Sequence, residues 1–345
     1  MRWMKITFPL LMIAAAAFFL WAYPDKEEDE LRYWHNQGHV FGTYYNIRYS
    51  APADLQEIIE ERLAQFDASL STFNPASVIS RINTGVSDTT DLWFEQMYAT
   101  AQRVSGLSNG AFDITVAPLV NAWGFGFRNK QTLTPARIDS LLRLTGYHKI
   151  RLDGHRLYKD DPRIMLDASA IAKGQACDVV ADLLREKGCG SWLVDIGGEV
   201  VLHGRNDQGQ PWRVGISKPV DDPAGASHAL QQIVESTSLC MATSGNYRQF
   251  YYEDGLRRSH TIDPRTGQPV THQLLSATVV APSCMEADAL ATACMVLGTD
   301  SALSLITPLR HTECYLIEAD SAGMLRTRMS PGMNRLFLHT GAAEK

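Results

Sequence analysis

From Ala281 to Gly298 the chain reads APSCMEADALATACMVLG, a helix with both ends written into it. Ser283 and Glu286 have the S-x-x-E spacing of a capping box, and Gly298 suits the residue just past a helix end. Asp288 and Thr292 stand at i and i+4, on one face about a turn apart. Ala287, Ala289, Ala291 and Ala293 are small, so another element or a ligand can come close. Two readings fit this stretch. A carboxylate with a hydroxyl is an oxygen pair for Mg²⁺, which keeps waters and phosphates as its other ligands. An alanine-rich helix packed tightly on a sheet, with Thr292 bonding back to its own turn, is the other.

Asp167 to Leu184, DASAIAKGQACDVVADLL, reads as a strand end, a tight loop and the start of a helix. Asp167 and Lys173 flank a loop of small residues, and the helix beyond offers free N–H groups to an anion. The loop has neither G-x-G-x-x-G nor G-x-x-x-x-G-K-[ST], so a tight strand-to-helix turn fits as well as a phosphate site. In SHTIDPRTGQPV, Ser259 to Val270, Asp263-Pro264 and Thr266-Gly267 make a turn after a strand. Alternation along that strand puts His260 and Ile262 on one side. His260 titrates near neutral pH and can serve as a base or as a structural residue. In GAFD, Gly110 to Asp113, Phe112 beside Asp113 suits stacking on a heterocycle or ordinary core packing.

Helical spacing predicts helices over 54–70, 91–104 (stopped by Gly106) and 134–144, the last opened by Thr134-Pro135. Strands are predicted over 149–152, 163–166, 191–196, 212–216, 313–317 and 333–339. A hairpin is predicted from 247–252 and 256–262 around Glu253-Asp254-Gly255. Helices and strands mix without regular βαβ alternation, which makes the fold class α+β.

The 345 residues are 45% hydrophobic, enough for one large domain or two intimate ones. A net charge of −6 without a basic stripe argues against nucleic acid as a partner. Arg2 and Lys5 precede the apolar run Ile6–Ala22, and an acidic stretch follows. That pattern predicts a signal or anchor segment over 1–24, an acidic linker over 25–37 and one domain over 38–345. The chain is then exported, held at a bacterial inner membrane and facing the periplasm. The 6 cysteines form no C-x-x-C, and most lie in apolar surroundings, as buried thiols do; an exported compartment also permits disulfides.

Taken in order, STFNPASVISRIN, GAFDITVAPLVNAWGFG, LDASAIAKGQACD, LVDIGGEV, ATSGNYR, HTIDPRTGQPV and ADALATACMVLG resemble the FAD:protein FMN transferases, the ApbE-type flavin transferases. The resemblance runs from about Gly38 to the C-terminus. It implies an α+β fold of two similar sheet-and-helix halves packed as one compact unit. It implies an Mg²⁺-dependent enzyme that moves FMN from FAD to a threonine hydroxyl of an acceptor flavoprotein, releasing AMP. By this resemblance Asp288, Thr292 and the carbonyl of Ala170 hold the metal. FAD contacts fall on Phe41, Phe73, Ala111, Phe112, Asp113, Asp167, Lys173 and Ile262, and His260 is the base for the acceptor hydroxyl. Lys173 and the metal would stabilise charge on the diphosphate. The acceptor would be a subunit of a membrane redox complex, or a soluble flavoprotein domain, with a threonine target motif.

The sequence departs from the family pattern in four places. Phe41 stands where many members have Met, and Asn246 where Asp is common. Ser169 and Ala170 replace glycines, and the lipoprotein cysteine of many members is absent. With water as acceptor the same site would be an FAD pyrophosphatase giving FMN and AMP. Without turnover it would be an exported FAD-binding protein.

Overall fold

A computed structural model describes residues 31–126, 131–219, 229–246, 250–253, 256–320 and 322–338. Strands β1 (Arg32–Val40) and β2 (Thr43–Ala51) open the fold, followed by helices α1 (Gln56–Leu70), α2 (Val78–Asn83) and α3 (Leu92–Leu107). Helices α4 (Ala117–Trp123) and α5 (Pro135–Leu142) lead to the small hairpin of β3 (Ile150–Asp153) and β4 (Arg156–Lys159). Helix α6 (Ala172–Glu186) precedes β5 (Trp192–Ile196), β6 (Glu199–His203), β7 (Trp212–Ser217) and β8 (Leu230–Ser236). Then come β9 (Ser238–Gly245), β10 (Phe250–Glu253), β11 (Leu256–Ser259) and β12 (Leu274–Val280). Helices α7 (Cys284–Leu297) and α8 (Thr299–Ile306) and strands β13 (Glu313–Ala319) and β14 (Leu325–Met329) complete the order.

Eight strands form one sheet in the order β1-β2-β5-β6-β9-β12-β13-β14, every neighbour antiparallel. The β6–β9 pairing joins four strands from each side, so the chain is an α+β fold on one continuous sheet. Strand alternation sorts its side chains to two faces. Tyr45, Ile47 and Tyr49 of β2, with Val194 and Ile196 of β5 and Ala277 and Val279 of β12, face the helices in the main core. Val200 and Leu202 of β6 and Tyr315 and Ile317 of β13 face the other way, under the β7–β8 hairpin with Trp212 and Val234. Helix α7 is buried almost all round, with Ala287, Ala289, Leu290, Ala291 and Ala293 at 0% exposure. The alanines let it sit between the sheet and α6 with no room to spare.

The helix ends follow the local signals. Asp91 and Thr134 accept N–H bonds from the third residue beyond, at 2.9 and 3.2 Å. Helix α3 nonetheless continues through Gly106 to Leu107, carried by the burial of Met97, Ala101 and Val104 on the core. Ser283 accepts from the N–H of Glu286 at 3.2 Å, while the Glu286 carboxylate turns outward to Arg103 at 2.6 Å.

Three predicted strands need correction. Residues 163–166 form no strand, because the Asn83 side chain takes the neighbour's place: its amide accepts from Leu166 N at 2.7 Å and donates to Leu166 O at 2.8 Å. Within 333–339 the chain makes a 3-10 turn, Met333–Leu336, after Pro331-Gly332 (His339 lies outside the described residues). Strand β11 stops at Ser259, so His260 and Ile262 are not neighbours on one regular strand. The Thr261 hydroxyl donates to Asn246 at 2.6 Å and its carbonyl accepts from Val270, which bends the chain there. The expected signal or anchor and residues 25–30 of the expected linker lie outside the described residues, as do Tyr247 and the turn at Asp254-Gly255, while residues 32–37 of that linker form part of β1. Among the described residues no helix is long and apolar enough to cross a membrane. All six cysteines are free thiols, five of them buried, which fits their apolar sequence settings.

Candidate active site

Helices α6 and α7 cross at their N-terminal turns, and the crossing is what creates the site. Gly174 faces the carbonyl of Cys284 so closely that a Cβ there would overlap it. The contact lets the Asp288 carboxylate reach across and accept from the N–H of Gly174 at 3.0 Å. The residue before α6, Ile171, gives no side-chain cap, so the capping of this orphan donor falls to Asp288. In return Asp178 of α6 accepts from the N–H groups of Cys284 and Met285 at 2.9 and 2.8 Å. Each helix is capped by a carboxylate of the other.

Asp288 is 2% exposed, yet it lines a cleft of about 1430 Å³. Lys173 lies beside it, its Nζ at 3.7 Å from Asp288 Oδ2 and 3.2 Å from Glu199 Oε1. Burial works against the ammonium charge, but the Asp288 and Glu199 carboxylates outweigh it and hold Lys173 above the usual lysine range. Glu199 is 3% exposed, and burial pushes its carboxyl up, with Lys173 opposing and Asp288 reinforcing. Among the described residues its buried Oε2 has no hydrogen-bond partner. Such an atom costs free energy unless something in the cleft meets it. Thr292, one turn along α7, places its hydroxyl 3.2 Å from that of Ser244 on β9 instead of returning to its own helix.

All the residues named from sequence line this one cleft. Phe73 is an aromatic residue at its rim, 75% exposed. Phe41 holds a left-handed backbone at φ 53 and packs edge-on to Phe66 at 5.8 Å. Asp167 accepts from Ser169 N at 2.8 Å, an Asx turn that leads into the loop carrying Ala170. Ala111, Phe112 and Ile262 are buried wall residues. His260 lies edge-on to Phe125, ring centroids 6.3 Å apart.

Asp113 is spent on the scaffold more than the sequence suggests. One oxygen accepts from the Thr115 N–H and hydroxyl at 2.8 and 2.7 Å, the other from Tyr147 N at 2.6 Å. Burial raises its carboxyl above the usual range against the pull of these bonds. Glu199 is the residue that sequence reasoning passed over. Its signal is present in LVDIGGEV, a single acid following two glycines between apolar strand residues. At Gly197 and Gly198 the chain turns with φ 66 and 104, conformations that favour glycine. That turn swings Glu199 onto the helix face of the sheet, under Lys173.

The donors facing the cleft are hard oxygens: the Asp288 carboxylate, the Thr292 hydroxyl and the orphaned Glu199 Oε2. Such a set fits Mg²⁺ better than a softer metal. Among the described residues no three His, Cys, Asp or Glu side chains cluster as a metal site by themselves.

The chain matches the ApbE family over residues 41–316. The FAD:protein FMN transferase of Vibrio cholerae is 37% identical over 320 residues, covering 90% of this chain and 94% of that protein. The Salmonella typhimurium FAD:protein FMN transferase is 37% identical over 346 residues, covering 95% and 97%. Among solved structures, the flavin transferase ApbE from Vibrio cholerae matches with a TM-score of 0.80 at 36% identity, over 89% of this chain and 100% of that one. The apo form of the Pseudomonas stutzeri flavinyl transferase ApbE matches with a TM-score of 0.79 at 34% identity, over 89% and 97%. With sequence and fold shared over nearly the whole described length, the chain belongs to the ApbE family.

Proposed function

We propose that the cleft binds FAD with its diphosphate at Lys173 and the N-terminal turns of α6 and α7, and passes the FMN half to a threonine of an acceptor protein. The chain is a flavin transferase of the FAD:protein FMN type, the activity its relatives' names carry. The observation that carries the site assignment is the Asp288–Lys173–Glu199 cluster, at 3.7 and 3.2 Å, in the floor of the cleft.

The steps follow from the residues. Phe73 and the Phe41 wall take the isoalloxazine, and Asp167 and the small-residue loop let the diphosphate lie against the backbone. Lys173, kept charged by its neighbours, balances negative charge on the phosphate oxygens. His260 takes the proton of the threonine hydroxyl as its oxygen bonds to the FMN phosphorus. The bond from that phosphorus to the bridging oxygen breaks, and AMP leaves. Asp288, Thr292, the Ala170 carbonyl and the nearby Glu199 would hold Mg²⁺, which supplies further charge stabilisation when bound. We place the protein outside the cytoplasm, tethered by its N-terminal segment, with a flavoprotein subunit of a membrane redox complex as acceptor.

The test is co-incubation with FAD, Mg²⁺ and a candidate acceptor flavoprotein, followed by intact-mass and peptide mass spectrometry. Transfer predicts one FMN on a threonine and one AMP released per acceptor. Free FMN and AMP beside an unmodified acceptor would mean a pyrophosphatase. FAD recovered intact would mean a binding protein.

A further inference from the structure

A protein threonine must enter the cleft for transfer, and the β7–β8 hairpin stands beside that cleft. Among the described residues strand β7 pairs with β8 alone, and no described strand covers its other edge. Gly215 stands opposite Ile233 of β8. The Ile233 carbonyl accepts from Leu338 N at 2.9 Å, on the side away from β7. In an antiparallel ladder the N–H and C=O of one residue point the same way, so Gly215 and Ile233 form a non-hydrogen-bonded pair. The N–H and C=O of Gly215 therefore point off the open edge, and so do those of Arg213.

Strand β7 contributes to the wall of the catalytic cleft. Trp212, Arg213, Val214, Gly215 and Ser217 line the same cavity as Lys173 and Asp288. At about 1430 Å³ the cavity exceeds the roughly 300–1,000 Å³ of pockets that hold one small molecule. The Arg213 side chain is occupied by Glu235 at 2.7 Å, which leaves its main chain as the recognition element.

We infer that the acceptor docks by strand addition: an extended, threonine-bearing segment pairs with the open edge of β7 through Arg213 and Gly215. The inference rests on the flavin-transfer reading. An open edge is a ready template for another chain, and main-chain bonds give affinity with little demand on sequence. A strand laid there runs along the cleft wall and brings a central hydroxyl toward the reacting phosphorus.

The probe is a pool of short synthetic peptides, each with one central threonine, incubated with the full chain, FAD and Mg²⁺. FMN adducts are read by mass spectrometry and AMP by chromatography. Wild-type protein labels a subset of the pool. For the best peptide, N-methylation of alternate backbone amides on one edge lowers kcat/KM by about 10-fold, as loss of main-chain hydrogen bonds predicts. Methylation of the other set changes it by less than about 2-fold. Arg213→Pro, which removes an outward N–H at an edge position where proline is tolerated, has the larger effect, and Arg213→Ala the smaller. Equal labelling of both methylated peptides overturns the inference. So does FMN transfer to an acceptor flavoprotein by the same preparation with no peptide labelled, since strand addition needs only an extended segment. Wild-type protein that labels neither the peptides nor an acceptor flavoprotein overturns the transfer reading itself, a separate result.

Discussion

Asp178 and Asp288 perform the same local task at two places in one helix crossing. Each stands inside a helix and caps the N-terminal turn of the other. They differ in what remains for them to do. Both oxygens of Asp178 accept backbone N–H bonds, and it lies away from the cleft. One oxygen of Asp288 serves Gly174 and the group still faces the cleft and Lys173. The crossing thus makes one carboxylate a fastener and the other a fastener with a free side, and the free side is where charge chemistry can occur.

Substitution by asparagine, which keeps a cap acceptor and removes the charge, breaks the comparison most sharply. Asp288→Asn should lower AMP release during transfer to an acceptor flavoprotein by about 10²–10³-fold, the scale of losing one preorganised electrostatic group. Asp178→Asn should leave that rate within about 2-fold, because its effect is limited to a cap. A comparable loss in both variants would mean that Asp288 acts through the fold alone. His260→Ala should slow transfer by about 10²–10⁴-fold if it is the base, and an unchanged rate would remove that role.

Gly174→Ala tests the crossing itself. The added methyl meets backbone, which cannot rotate away, so the helices must part at a cost of about 1–3 kcal/mol. Urea unfolding should report that loss together with a weaker grip on FAD. Unchanged stability would mean the crossing is looser than the structure has it.

The smallest effect concerns pH. Burial pushes the Asp178 carboxyl up to about 6 from its ordinary value of 3.8. The folded state therefore holds that proton more tightly than the unfolded chain. Its contribution to stability is present below about pH 4 and lost as pH rises through 6. Wild-type protein should lose stability relative to Asp178→Asn between pH 4 and 7, measured by urea midpoints. A constant difference would show that the carboxyl titrates normally.

The α7 helix was legible because its signals are local: a serine cap, a glycine stop and a polar pair one turn apart. The same holds for Asp91 and Thr134 as caps. The gathering of Phe41, Phe73, Lys173, His260 and Asp288 around one cleft came from resemblance, since their separation in the chain carries no periodic trace. What stayed hidden was long-range substitution of one group for another. The Asn83 side chain stands in for a strand neighbour of Leu166, and Asp288 stands in for a missing cap on α6. Glu199 stayed hidden because a lone acid in a strand reads as surface until the Gly197-Gly198 turn shows which way it faces.

The most direct measurement is chromatography of FAD incubated with the protein and an acceptor flavoprotein, in Mg²⁺ and in EDTA, wild type beside Asp288→Asn. AMP released by wild type in Mg²⁺, and absent both in EDTA and in the variant, is the predicted result. AMP released equally in EDTA, or by Asp288→Asn at the wild-type rate, would contradict the placing of the chemistry at the free side of Asp288.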